Sequence, residues 1–124
     1  MDKDLAYYVI RYFGHLMNAQ EKQAYSHLAA TMKATGRDDF AAQEEAKSSK
    51  IHSRWLSTDL DVLRLANNGY QAFLANTADR ILNENGDRVF LNLCPKCGAL
   101  AKTPKARQCR LCKYDWHASK NLTE

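Results

Sequence analysis

All four cysteines of this chain fall within one stretch of nineteen residues, CPKCGALAKTPKARQCRLC, as Cys94, Cys97, Cys109 and Cys112. Thiolates at such spacing bind metal or do redox chemistry more often than they form structural disulfides in a reducing compartment. Within each pair two residues separate the cysteines, and eleven residues separate the pairs. A C-x2-C pair folds into a tight turn that aims both sulfurs at one point. Two such turns facing each other complete a tetrahedron, the geometry zinc prefers with thiolate ligands. Eleven residues suffice for an extended arm, a turn at Thr103-Pro104-Lys105, and a return. Iron is the competing ion, since thiolates accept it, but rubredoxin-type electron carriers place their pairs much further apart. A dithiol redox motif usually opens a helix within a βαβ unit, and no such pattern is present. His117 is a conceivable substitute ligand, yet four cysteines already fill the shell.

The segments Cys94-Pro95-Lys96-Cys97-Gly98 and Cys109-Arg110-Leu111-Cys112-Lys113 resemble the two knuckles of a zinc ribbon of the rubredoxin-like type. The resemblance covers roughly residues 88–117 and implies a structural Zn2+ site closed by four cysteines. Gly98 suits the turn in which backbone amides point at the sulfurs. Lys113 departs from the pattern, since glycine is commonest there; the turn is then either strained or built on a left-handed lysine, and no ligand is lost. More loosely, the rest of the chain resembles helical bacterial proteins of unassigned function that end in such a ribbon. A ribbon this small cannot bury a core of its own, so the metal must stabilise it, by about 10 kcal/mol or more. Val89, Leu91 and Trp116 are the residues expected to dock it on the helices.

A closed four-thiolate shell leaves no position at which to activate water. Elsewhere His15, His27 and His52 are scattered, without the H-E-x-x-H or E-x-x-H arrangement of a second metal centre. Glu44-Glu45 reads as a solvated face. Tyr7, Tyr8, Tyr12 and Tyr25 sit in apolar helical stretches and read as packing residues. No glycine-rich phosphate loop and no nucleophile motif occurs. The expectation is a protein that is not an enzyme.

The elements that must carry the cysteine segment are helices. Leu5, Tyr8, Val9, Tyr12 and Leu16 form one stripe, and Ala6, Ile10, Phe13 and Met17 a second, which predicts a central first helix over 4–17. Asn18 and Glu21 make a capping box. A second helix then runs to about Ala34, stopped by Gly36. Asp38 or Asp39 caps a third helix through about Leu56, with Phe40, Ala41, Ile51, Trp55 and Leu56 as its apolar marks. Ser57 or Thr58 opens a short fourth helix, ended by Asn67-Asn68-Gly69. The last helix carries Tyr70, Phe73, Leu74, Thr77, Ile81 and Leu82. Beyond Gly86 the period changes, and RVFLNLC, ALAKT and YDWH read as strands. The predicted fold class is therefore mainly α with a small β zinc ribbon: a bundle of four to five helices over 1–86, the ribbon over 87–118, and a loose tail over 119–124.

Composition agrees with a soluble globular chain of 124 residues, 45% hydrophobic and 26% charged. No apolar run reaches the ~20 residues of a membrane span. The start lacks a basic leader, so a cytoplasmic location is expected and no membrane contact. Charge is uneven. Residues 1–87 hold 10 Lys/Arg against 12 Asp/Glu, and residues 88–124 hold 8 against 2. Four thiolates around a divalent cation subtract about two charges from that basic tail. Two partner classes follow. A protein partner or self-association would use the helical part, with Tyr7, Trp55 or Tyr70 as anchors. Nucleic acid would use Lys96, Lys102, Lys105, Arg107, Arg110 and Lys113, with Tyr114 and Trp116 for stacking.

Overall fold

A computed structural model of the chain describes residues 2–117; the expected loose tail lies outside them. Five helices run in order: α1 (Lys3–Phe13), α2 (Ala19–Thr35), α3 (Phe40–Ala46), α4 (Leu60–Ala66) and α5 (Tyr70–Asn85). α1 packs chiefly against α5, while α2 packs against α3 and α4. Phe73, Leu74 and Ile81 of α5 meet Val9 of α1, Leu28 of α2 and Val62 of α4 in a fully buried core. Burying each such side chain contributes about 1.5–3 kcal/mol relative to leaving it exposed.

Local chemistry sets the helix ends. The Asn18 side chain accepts from the Glu21 amide at 2.8 Å, and the Glu21 carboxylate accepts from the Asn18 amide at 2.8 Å, so the capping box forms as read. Gly36 ends α2 in the left-handed region, with φ 76°. Asp39 caps α3 through the Ala42 amide. Asp38 does a different job. Its carboxylate accepts from the Tyr70 amide at 2.8 Å and so caps α5 from across the fold. Gly69, at the start of α5, has no side chain to do this. A Cβ there would approach that same carboxylate at 3.2 Å.

Three helix boundaries differ from expectation, the first being α1, which ends at Phe13 and passes into a 3-10 turn over Gly14–Leu16 rather than running to Met17. α3 ends at Ala46 rather than near Leu56, and Ser53–Trp55 forms only a 3-10 turn. Ile51 and Trp55 are exposed, so continuing the helix would bury nothing there. α4 is capped by Asp59, which accepts from the Asp61 amide, rather than by Ser57 or Thr58. Ser57 instead donates its amide to His27 Nδ1 at 3.0 Å.

His27 is the centre of a buried polar network. Since Nδ1 accepts from an amide, Nε2 carries the proton and donates to Gln43 Oε1 at 2.9 Å. Gln43 in turn donates to the carbonyl oxygens of Asp38 and Ala66. The network binds α2, α3, the end of α4 and the segment before α4, with every buried side-chain polar atom among the described residues partnered.

After a 3-10 turn at Gly86–Arg88 the chain becomes extended. Val89 and Leu91 pack on the bundle core while Phe90 faces out, and the alternation then shifts by one position, so that Asn92 is buried and Leu93 exposed. Among the described residues, however, the expected strands reduce to two isolated antiparallel bridges, Leu93 with Leu100 and Gln108 with Asp115. The knuckle turns take up the residues between the bridges, which leaves too few for a continuous ladder.

Candidate metal centre

The cysteine segment consists of two loops built alike, displaced by fifteen positions. In the first loop the Cys94 amide donates to the Ala99 carbonyl, the Gly98 amide to the Cys94 carbonyl, and the Ala101 amide to the Asn92 carbonyl. In the second, Cys109 donates to Tyr114, Lys113 to Cys109, and Trp116 to Arg107. The amides of Lys96 and Cys97 point at Cys94 Sγ at 3.4 Å. Those of Leu111 and Cys112 point at Cys109 Sγ at 3.3 and 3.4 Å. Such a turn needs a left-handed residue after the second cysteine. Gly98 supplies it at φ 78°, and Lys113 at φ 67° is the one non-glycine residue with positive φ among those described.

The loops face each other and bring all four sulfurs within 4.8 Å of one another. Cys94 and Cys112 are 3.7 Å apart at Sγ, and Cys97 and Cys109 are 3.5 Å apart. Disulfide sulfurs lie at about 2.05 Å, so these are not bonded pairs. A tetrahedron of thiolates bonded at about 2.3 Å to one ion has edges of about 3.8 Å. The sulfurs therefore fit a single ion of that size.

Electrostatics point the same way. At Cys94 burial opposes ionisation, but the amides of Cys97 and Lys96 outweigh it and hold the pKa below the usual thiol value. At Cys109 the Cys112 amide leads, and the pKa falls to about 6. At Cys97 the Ala99 amide favours the thiolate, yet the neighbouring sulfurs, Cys109 first, push its pKa up to about 12. Unaided, Cys94 and Cys109, one from each loop, ionise more readily than an ordinary thiol, while Cys97 resists. A divalent cation is the partner that would let all four ionise together.

The loops sit on a small core of their own. Cys94, Ala101, Cys109 and Trp116 are buried together, with Ala99 and Ala106 against them. Trp116 thus packs under the knuckles and does not dock them on the bundle as expected; Val89, Leu91 and Leu100 do that. His117 is engaged with Asp115, whose carboxylate also accepts from the His117 amide at 2.8 Å.

Four of the six candidate cations converge. Lys102, Arg107, Arg110 and Lys113 line one cavity of about 360 Å³ beside Cys109 and His117. Lys96 and Lys105 are exposed and do not line it. Tyr114 and Trp116 stack on each other, with ring centroids 6.3 Å apart, and Trp116 is too buried to offer a face to a ligand. Sequence reasoning missed Asn92 altogether. It is buried, and its side-chain amide donates to the carbonyls of Thr103 and Ala106 at 2.9 Å each, holding the loop between the cysteine pairs. No sequence signal singled it out, since alternation from exposed Phe90 would turn position 92 outward.

No protein-family model matches this chain, and no curated protein or solved structure does. No helix among the described residues is long and apolar enough to cross a membrane.

Proposed function

We propose that this is a non-enzymatic zinc protein in which Cys94, Cys97, Cys109 and Cys112 hold one structural Zn2+ in a zinc ribbon spanning 87–118, carried by a helical unit over 1–86. The observation that carries the reading is the sulfur quartet, whose separations of 3.5 and 3.7 Å match the edges of a thiolate tetrahedron. When bound, the ion supplies charge balance and cross-linking rather than a reactive ligand position. The chain's task is then binding. The test is elemental analysis of protein purified under reducing conditions, together with the visible spectrum after cobalt exchange. One zinc per chain and a tetrahedral tetrathiolate cobalt spectrum are expected. A metal-free protein with an ordered C-terminal segment overturns the reading.

The partner class best supported is a polyanion, and specifically nucleic acid, because the fold gathers Lys102, Arg107, Arg110 and Lys113 around one cavity. Binding should weaken steeply with salt; binding that is flat in salt counts against it. A protein partner or self-association is the second reading, supported by the exposed Phe40, Ile51, Trp55 and Leu60 of the α3–α4 region. Light scattering checks that reading, which requires a dimer or a co-purified chain.

A further inference from the structure

We propose that the seam between α1 and the cysteine segment binds single-stranded nucleic acid, phosphates on the basic cleft and a base on Tyr7. This rests on the polyanion reading above and extends it to residues of the helical unit. A second cavity, of about 390 Å³, lies between α1 and the cysteine segment. It shares Lys102 and Arg110 with the basic cavity, so the two lie side by side along the seam and are taken together as one trough. α1 contributes Arg11 and the ring of Tyr7, which is 54% exposed although it sits on a helix whose neighbouring Tyr8 is buried.

The trough is lined by five permanent cations, Arg11, Lys102, Arg107, Arg110 and Lys113, and by one carboxylate, Asp4. Asp4 pairs with Arg110 at 3.1 Å, and both side chains are substantially exposed. Such a pair is weak, so an incoming phosphate can take its place. Asp115, two residues beyond Lys113, is engaged by His117. The cleft against α1 favours the flexible strand state. A duplex presents its phosphates on a convex stiff surface, suited to protruding loops, whereas a single strand bends into a trough and turns its bases onto aromatic faces. Lys105, on the turn outside the trough, serves as an internal control.

The test uses the full zinc-loaded chain and fluorescence anisotropy with a labelled short oligothymidylate, a duplex of equal length, and anionic phospholipid vesicles. The single strand is expected to bind more tightly than the duplex, with log K falling by about 0.7 per phosphate against log salt. Tyr7→Ala should weaken binding by about 5-fold or more, and Tyr7→Phe should restore it, since stacking needs the ring alone. Lys102→Ala should reduce the salt slope by about one contact, and Lys105→Ala should leave it unchanged. Equal or tighter duplex binding, equal loss in Lys105→Ala and Lys102→Ala, or binding to vesicles alone overturns the seam site. Duplex binding that still needs Lys102 would overturn the single-strand assignment while sustaining the polyanion reading. Zinc content, measured on each sample, tests the metal reading separately.

Discussion

The Tyr8 hydroxyl donates to the Phe90 carbonyl at 2.7 Å and accepts from the Asn92 amide at 3.3 Å, so one side chain of α1 grips the strand-like segment that leads to Cys94. Burial pushes the Tyr8 pKa up, which keeps the phenol neutral and able to donate. Asn92 passes the connection on to the loop between the cysteine pairs. Tyr8→Phe keeps the ring in its place but orphans the Phe90 carbonyl and the Asn92 amide. An unpaired buried backbone group costs about 1–3 kcal/mol. A loss of that size is expected in urea denaturation of the metal-loaded protein. A change under about 0.5 kcal/mol, the range of ordinary surface substitutions, would mean the link transmits little.

The ion pair of Glu21 and Arg80 should respond asymmetrically. Glu21 is 3% exposed and takes two bonds of 2.6 Å from the guanidinium, which also donates to the Leu16 carbonyl. Removing Arg80 leaves a buried carboxylate with only the Asn18 amide, so Arg80→Met should cost about 3–5 kcal/mol. Glu21→Gln leaves a guanidinium that is 26% exposed and can draw on water, and should cost less. Paired denaturation curves decide it. The reverse order would show that the Asn18 cap alone satisfies the carboxylate.

The knuckle turns make opposite predictions at equivalent positions. Gly98→Ala places a Cβ at φ 78°, and Lys113→Gly removes one at φ 67°. A left-handed non-glycine residue costs about 1 kcal/mol or more. Gly98→Ala should therefore speed metal loss to a chelator. Lys113→Gly should slow it modestly, since it also gives up the bond from Lys113 Nζ to the Arg110 carbonyl and loosens the unfolded chain. Release rates followed with a chromophoric chelator give both signs. Faster release from Lys113→Gly would mean that the lysine's own contacts outweigh the strain.

What could be read in the residues was whatever is local. The Asn18–Glu21 box, the Gly36 stop and the left-handed demand on Lys113 are decided within a few positions, and all three appear. The sulfur quartet was legible for the same reason, as spacing within each turn sets where its sulfurs point. What failed was long-range. Of the two aspartates that could cap the third helix, Asp39 does so, but nothing local showed that Asp38 caps α5, thirty-two positions away. Glu21 looked like a box partner alone, yet it also neutralises Arg80 across the bundle. Ile51 and Trp55 matched a helical stripe, but a stripe does not reveal whether a neighbour exists to cover it, and here both stay exposed. The strands failed because pairing length depends on how much chain the knuckles consume.

Removing the metal is the sharpest experiment, because the two tryptophans report on different parts. Trp116 is 5% exposed beneath the knuckles, and Trp55 is 57% exposed on the helical unit. In a Trp55→Phe background, fluorescence reads the cysteine segment alone while far-ultraviolet dichroism reads the helices. Chelation, or Cys97→Ser, should abolish zinc binding and red-shift the Trp116 emission. The small cluster of Cys94, Ala101, Cys109 and Trp116 cannot replace the about 10 kcal/mol or more that a structural zinc contributes. Helical signal should largely persist, since Phe73, Leu74, Ile81, Leu28 and Val62 owe their burial to helix–helix contacts. It should nonetheless become less resistant to urea, because Val89, Leu91 and Leu100 lie on that core and Tyr8 is tied to Phe90 and Asn92. Should the helical signal collapse in step with the tryptophan shift, the division near residue 86 would have no energetic meaning, and the chain would fold as one cooperative unit around its metal.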